Sequence, residues 1–335
     1  MDLLAQLRAG QVTAQTLSPL NLSQYEKVVF VGLGGSIMAS EAISMLWPGV
    51  TTSESCKPVA VSLAEVVTPG WLDQSAQYIV RGLHLPHWIN QKHLIIASSW
   101  SGETAETIGL VKQAIAQKIA TIVITSNQES PLATLAKTAN LPTIMLPRLV
   151  EIPRLAMPLM LGAQLTVLGQ SVILNEADKF AQALQDKATQ EAQTLTQVIG
   201  DKLTLIYSSC AWRYLGSFWK TFINETAERH CFYNFIPGAL HNEIAAIKSE
   251  GNQFCYIVLS DRNEDELEIN QLTRLASWFE KLQLTVLRLE ITGQSRLEKI
   301  LYQYLLAANT SALLPGGKHN IPIAIKDFKK NNKPN

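Results

Sequence analysis

Short apolar runs of strand length alternate with longer runs at helical spacing through the first half of the chain. The short runs are apolar at almost every position, as in 93–98 (HLIIAS), instead of alternating with polar residues. Strands buried on both faces have this pattern, and they form parallel sheets that helices cover on both sides. The predicted strands are 27–31, 58–63, 93–98, 121–125 and 143–146.

The second half resumes the alternation after a helical interval. Residues 158–200 have no strand pattern and predict one or two helices. Apolar runs at 203–208, 253–259 and 285–289 predict three further strands. The sequence therefore predicts an α/β fold with two doubly wound parallel-sheet subdomains, 1–155 and 201–335, joined by a helical connection over 156–200.

Composition narrows the class of protein. The chain has 335 residues, 47% of them hydrophobic and 17% charged, and 28 basic side chains balance 28 acidic ones. This composition predicts about two domains with a large core, and it excludes global disorder. The neutral balance predicts no general attraction to nucleic acid or to an anionic membrane. No apolar stretch reaches the roughly 18–20 residues of a membrane span, and the N-terminus has no secretory signal pattern.

The four cysteines are widely spaced, and none forms a CxxC pair. That spacing favours neither a zinc site nor a redox pair. We expect reduced core thiols in a cytoplasmic protein. The cysteines are Cys56, Cys210, Cys231 and Cys255.

A glycine-rich turn follows the first predicted strand. It reads Gly32-Leu33-Gly34-Gly35-Ser36 and precedes a predicted helix. Backbone N–H groups in such a turn can point at an anion, and the helix dipole helps. The dinucleotide pattern GxGxxG fails because Ile37 stands where its third glycine belongs. The turn is therefore either an anion site or a tight connection without a ligand.

A second polar loop follows the strand at 93–98. Ser99, Ser101 and Thr104 could donate three hydroxyl hydrogen bonds to one phosphate at the carboxyl edge of the sheet. The alternative is a helix-capping cluster, which Ser and Thr often supply. A bound phosphate also needs a cation, for which Arg154 is the candidate and Arg148 the rival.

Candidate acid–base residues lie in the second half. The predicted helix 211–229 sets Glu225 at the border of an aromatic face with Phe218 and Phe222, which would raise its pKa towards that of a general base. The alternative is an ordinary surface glutamate at a helix end. His241 follows in His-Asn-Glu-Ile, which is not the HExxH zinc pattern, and a lone histidine is more often structural.

The first-half loops resemble the sugar isomerase (SIS) domain, whose loops hold the phosphate of a phosphosugar. Residues 99–107 read S-W-S-G-E-T-A-E-T and match that family's S-Y-S-G-N-T-x-E-T except at Trp100 and Glu103. A carboxylate at Glu103 is unfavourable beside phosphate unless its side chain points outward. The resemblance implies an SIS-type fold in both subdomains and phosphate contacts from Gly35, Ser36, Ser99, Ser101, Thr104 and Arg154.

The second half closely resembles the bifunctional phosphoglucose/phosphomannose isomerases. The motifs are W-K-x-x-x-N-E-x-A-E from Trp219 and N-F-x-P-x-x-x-H-N-E-I from Asn234. The resemblance implies that Glu225 transfers the proton and that His241 assists ring opening from the partner subunit of a homodimer. It also implies a C-terminal lysine, Lys326 by our alignment, with Lys329 or Lys330 as alternatives.

The implied reaction interconverts glucose 6-phosphate and fructose 6-phosphate through a cis-enediol, with mannose 6-phosphate as a further substrate. It needs no metal and no redox cofactor, and the implied partner is a small sugar phosphate. The threonine that the family places shortly before its lysine has no clear counterpart here, which bears on epimer specificity. The alternative is a non-catalytic or altered-specificity SIS-domain protein that binds phosphosugars. Retention of both Glu225 and His241 favours the enzyme.

Overall fold

The structure is a computed structural model that describes residues 2–18, 20–47, 77–248, 251–318 and 320–325. Their contacts divide them into two compact units, one reaching Lys179 and the other beginning at Phe180. We call them the N-terminal unit and the C-terminal unit. The predicted strand at 58–63, Cys56 and the lysines at 326, 329 and 330 lie outside the described residues.

The N-terminal unit contains a five-stranded sheet in the order β2-β1-β3-β4-β5, with every neighbouring pair parallel. Its core joins the interior strand residues, among them Val29, Ile95 and Val123, to Leu110 and Val111 of a covering helix. The strands are β1 Lys27–Val31, β2 Gln77–Val80, β3 His93–Ser98, β4 Ala120–Thr125 and β5 Thr143–Met145. The helices are α1 Leu3–Ala14, α2 Met38–Leu46, α3 Ala105–Ala116, α4 Pro131–Thr138 and α5 Met157–Val167.

The C-terminal unit contains a four-stranded parallel sheet in the order β7-β6-β8-β9. Its core includes Tyr207, Tyr256 and Phe279, with two of the aromatic rings, Tyr256 and Phe279, stacked 4.2 Å apart. The strands are β6 Leu203–Ser208, β7 Cys231–Phe235, β8 Phe254–Ser260 and β9 Thr285–Glu290. The helices are α7 Arg213–Thr226, α8 Ala239–Asn242, α9 Glu266–Lys281 and α10 Arg296–Leu313, with α6 Ala177–Ile199 leading into the unit.

The predicted fold class, α/β with two parallel-sheet subdomains, is confirmed. The strands predicted at 27–31, 93–98 and 203–208 match β1, β3 and β6 residue for residue. The helix predicted at 211–229 is shorter in the structure, where it begins at Arg213 and ends at Thr226. Two strands were missed, β2 and β7, and both are edge strands. The edge strands β5 and β9 were predicted, so edge position alone does not explain the omission. In β7 the sequence C-F-Y-N-F is buried only at Cys231 and exposes Phe232, so it lacks a continuous apolar run.

Three of the four cysteines can be located in the C-terminal unit. Cys210, Cys231 and Cys255 are free and buried, as predicted for core thiols. Burial raises the pKa of the Cys255 thiol to about 11, so it stays protonated near neutral pH.

Candidate functional site

The glycine turn of the N-terminal unit lies at a position where open parallel sheets bind ligands. In the order β2-β1-β3-β4-β5 the chain direction across the sheet reverses between β1 and β3, and ligands bind beyond the carboxyl ends of the strands at such a point. The glycine turn follows β1, and the serine-rich loop follows β3. The two loops singled out by sequence therefore meet at one edge of one sheet.

Gly35 brings the glycine turn into direct contact with the segment that contains Arg154. A Cβ atom at Gly35 would lie 2.4 Å from the backbone nitrogen of Arg154 and 2.7 Å from its Cα. Only a residue without a side chain permits this approach. The turn itself continues as a short 3-10 helix, Gly34–Ile37, and Arg154 lies in another, Pro153–Ala156.

A hydrogen bond joins the glycine turn to the serine-rich loop. The backbone N–H of Trp100 donates to the Ser36 Oγ over 2.9 Å, and both residues are buried. The Trp100 carbonyl in turn accepts from the Ser126 hydroxyl over 2.7 Å. The loop is thus held in place by hydrogen bonds on both sides.

The hydroxyls of the serine-rich loop bond within the loop and do not cap the next helix. Ser99 Oγ donates to Thr104 Oγ1 over 3.1 Å and accepts from the Gly102 N–H over 3.2 Å. Ser101 Oγ accepts from the Glu103 N–H over 3.2 Å. Thr104 occupies the N-cap position of α3 but makes no side-chain capping hydrogen bond. The capping alternative therefore does not account for the cluster.

Gly102 allows that loop to turn tightly against its neighbour. Its φ is +67°, and an added Cβ would lie 2.0 Å from Ser130 Oγ. Glu103, beside it, is exposed to solvent. An exposed carboxylate is strongly screened by water, so the departure from the family motif at Glu103 is compatible with an anion site.

Two arginines were candidates for the phosphate cation, and their surroundings differ. Arg154 is fully buried, and its backbone lies against the glycine turn. Arg148 is 49% exposed and pairs with exposed Glu151 at 3.3 Å. A buried guanidinium keeps its charge and raises the affinity of its surroundings for an anion, whereas a surface pair contributes little. The geometry therefore favours Arg154 over Arg148.

A buried hydrogen-bond network of three polar side chains lies behind these loops and was not predicted from sequence. Gln164 of α5 donates to Ser98 Oγ over 3.0 Å and accepts from Ser40 Oγ over 3.2 Å. All three side chains are fully buried, so each hydrogen bond is costly to break. This network connects α2, α5 and the end of β3, which lie next to the two loops and the Arg154 segment.

In the C-terminal unit, Glu225 lies in the last turn of α7 and is half-buried. Phe218 and Phe222, on the neighbouring face, are fully buried, as the aromatic spacing predicted. The Lys318 N–H donates to the carbonyl of Thr226 over 2.8 Å. The chain that leads towards Lys326 therefore passes the end of the helix that carries Glu225.

His241 lies in α8, a four-residue helix, and its side chain is exposed. Two residues on, Glu243 begins a short 3-10 helix, Glu243–Ala246. His241 is therefore available to solvent or to another molecule. Its role, like those of Glu225 and of the phosphate-site residues, stays a prediction.

The second sheet has its own switch point, between β6 and β8, and charged side chains fill it. The Ser209 hydroxyl donates to Glu264, and the Glu264 carboxylate also accepts from the Asp261 N–H over 3.2 Å. Lys299 donates to both oxygens of Asp261 at 2.7 Å in a buried ion pair. Burial raises the pKa of Glu264 to about 7. The only sequence signal was the acidic run S-D-R-N-E-D after β8, where the first unit has hydroxyls and glycine.

The described residues present neither a cluster of metal ligands nor a membrane-spanning helix. Within those ranges, no group of three or more His, Cys, Asp or Glu side chains is arranged to hold a metal ion. None of the helices in the same part of the chain combines the length and apolar content that a membrane crossing requires.

Comparisons with known proteins identify the family. The profile described as the bacterial phospho-glucose isomerase C-terminal SIS domain matches residues 188–327, and the SIS domain profile matches residues 79–174. A bifunctional phosphoglucose/phosphomannose isomerase of Aquifex aeolicus is 23% identical over 92% of this chain and 90% of its own. A D-glucosamine-6-phosphate 4-epimerase of Sulfolobus acidocaldarius is 30% identical over 68% of this chain and 75% of its own.

Among solved structures, a hypothetical protein from Thermus thermophilus aligns with a TM-score of 0.69 at 15% identity, over 99% of this chain and 89% of that one. This structural similarity supports the fold, and the sequence matches support membership of the family. The chain belongs to the SIS-domain family of sugar isomerases that includes the bifunctional phosphoglucose/phosphomannose isomerases.

Proposed function

We propose that this protein is an aldose–ketose isomerase that interconverts glucose 6-phosphate and fructose 6-phosphate, and mannose 6-phosphate with them. The observation that carries the proposal is the preorganised pair of loops at the β1/β3 switch point, with buried Arg154 against Gly35 and with Ser36 bonded to the serine-rich loop. Hydroxyls, backbone N–H groups and a buried guanidinium are the groups that bind a phosphate ester.

The chemistry divides between the groups that anchor the substrate and the groups that move protons. Gly35, Ser36, Ser99, Ser101, Thr104 and Arg154 would hold the 6-phosphate and keep the sugar in register. Glu225 would move the proton between C1 and C2. His241 and Lys326 would exchange protons at the ring oxygen to open the closed sugar. The developing enediolate would be stabilised by N–H groups or a cationic side chain.

A second activity is favoured by one specific observation. The Sulfolobus relative, the one of higher identity, carries the name D-glucosamine-6-phosphate 4-epimerase. The same phosphate anchor would serve an amino sugar phosphate, and the difference between the two activities would lie at C4 and at the amino group. Inversion at C4 is therefore the alternative that the experiment must separate from isomerisation.

The test is an NMR time course in D2O with each of four substrates: fructose, glucose, mannose and glucosamine 6-phosphates. Isomerisation through an enediol predicts conversion of fructose 6-phosphate to glucose 6-phosphate with solvent deuterium at C2. Epimerisation predicts a C4-inverted product from glucosamine 6-phosphate alone. The Glu225→Gln variant should lose turnover at least 100-fold while still binding fructose 6-phosphate in a calorimetric titration. Unchanged turnover in that variant would refute the assignment of the base.

A further inference from the structure

Glu243 ties the segment that carries His241 to the sheet of the C-terminal unit. Its Oε2 accepts a hydrogen bond from the Tyr207 hydroxyl over 2.8 Å, and its Oε1 accepts from the side-chain amide of Asn234. Tyr207 of β6 and Asn234 of β7 are directly paired across the two strands. One carboxylate therefore bridges two neighbouring strands at the carboxyl edge of the sheet.

The rest of the segment is held at its two ends. Ala239 is buried, and Leu240 and Ile247 pack against the core of the C-terminal unit. Between these anchors the exposed stretch includes His241 and Ile244. An exposed stretch with few apolar contacts opens at little cost in free energy, so internal hydrogen bonds determine how well it is ordered.

Tyr207 is a buried and stable hydrogen-bond donor to the Glu243 carboxylate. Its side chain is 3% exposed, and its ring lies 5.8 Å from that of Phe279. Burial, and then the hydrogen bond to Glu243, raise the pKa of Tyr207 well above its usual value. The phenol therefore stays protonated and donates near neutral pH. A hydrogen bond to an ionised carboxylate is stronger than one between neutral groups.

We propose that Glu243 is a positioning residue that acts on the reaction through His241. The Tyr207–Glu243–Asn234 bridge fixes the chain two residues beyond His241 and so fixes the direction in which the imidazole is presented. The inference rests on the proposed function, because it assigns His241 a part in ring opening. Groups that act in proton transfer must be held within about 0.5 Å of the productive geometry, and such a bridge supplies that support.

The test uses Tyr207→Phe, which removes one hydroxyl and keeps the buried ring. The matched control is Tyr302→Phe, because Tyr302 is also a buried tyrosine of this unit whose hydroxyl donates to a carboxylate, that of Glu191. We expect Tyr207→Phe to lower kcat about tenfold with KM changed less than about twofold, which is less than the roughly 10²–10⁴ expected if the acid–base group itself were removed. Tyr302→Phe should leave kcat unchanged.

Coupling to His241 separates positioning from a general loss of structure. In a His241→Asn background, adding Tyr207→Phe should have no further effect on kcat, because the group that it positions is gone. An equal loss of kcat in both backgrounds, or equal losses from Tyr207→Phe and Tyr302→Phe, would overturn the proposal. Glu243→Gln keeps one oxygen that can accept from Tyr207, whereas Glu243→Ala keeps none, so kcat should be higher in Glu243→Gln than in Glu243→Ala. Equal kcat in these two variants would count against the proposal.

Amide hydrogen exchange keeps this test separate from the test of the proposed function. Tyr207→Phe should accelerate exchange across residues 239–247 at least about tenfold over Tyr302→Phe. If the wild-type protein converts none of the four sugar phosphates, the proposed function fails. Amide hydrogen exchange then still tests whether the Tyr207–Glu243–Asn234 bridge orders the segment. Unchanged exchange across the segment would refute the bridge whatever the activity.

Discussion

Gly35→Ala tests whether the close approach of the glycine turn to Arg154 builds the phosphate site. The added Cβ would lie 2.4 Å from the Arg154 nitrogen, whereas ordinary contacts begin at 3.4 Å. Backbone atoms cannot rotate away, so the two segments must separate by roughly 1 Å. A displacement of that size can reduce a rate about 100-fold when it misplaces a binding group.

The expected loss can also be worked from the hydrogen bonds. Weakening two charge-assisted hydrogen bonds to phosphate, at about 1.5 kcal/mol each, removes about 3 kcal/mol of binding free energy, or roughly 100-fold in affinity. The assay is calorimetric titration with fructose 6-phosphate in the Glu225→Gln background, where turnover does not interfere. Thermal unfolding of the same variant shows that the fold is retained.

Gly34→Ala is the matched control, since a Cβ there would meet no atom within 4 Å. Its φ of +55° costs a non-glycine residue about 1 kcal/mol in stability but requires no separation of the two segments. We therefore expect Gly34→Ala to keep its affinity within a few-fold of the parent. Parental affinity in Gly35→Ala, or equal losses in both variants, would refute the reasoning.

Two further predictions concern the C-terminal unit. Since folding raises the pKa of Glu264 from 4.5 to about 7, the folded chain holds a proton that the unfolded chain has released between those values, and stability falls as pH rises through that window. Glu264→Gln should remove this pH dependence, which amounts to at most about 3 kcal/mol in the free energy of unfolding. The measurement is urea unfolding of both proteins at about pH 5 and about pH 8. Parallel pH profiles of wild type and variant would contradict the prediction. If His241 acts across a homodimer, mixing refolded Glu225→Gln and His241→Asn chains should restore about a quarter of wild-type activity. No recovery in a mixture that light scattering shows to be dimeric would contradict the shared site.

Much of the fold could be predicted because burial leaves a local signal. A strand covered on both faces is apolar at each position, so β1, β3 and β6 were located to the residue. Strands β2 and β7 were missed because Gln77–Val80 and Cys231–Phe235 mix polar and apolar residues, whereas the edge strands β5 and β9 were predicted. The same local signal set Glu225 beside Phe218 and Phe222, because helical spacing is a property of neighbouring residues.

The pattern of residues along the chain predicts the parallel α/β class, the two loops that follow β1 and β3, and the chemical groups in those loops. Which distant groups meet is visible only in the folded chain, where Gly35 contacts Arg154, Gln164 contacts Ser98 and Glu243 contacts Tyr207. Hydrophobic periodicity reports how a residue is oriented within its own element. Contacts between elements depend on strand order and on the close approach of backbones, and these are set when the whole sheet assembles.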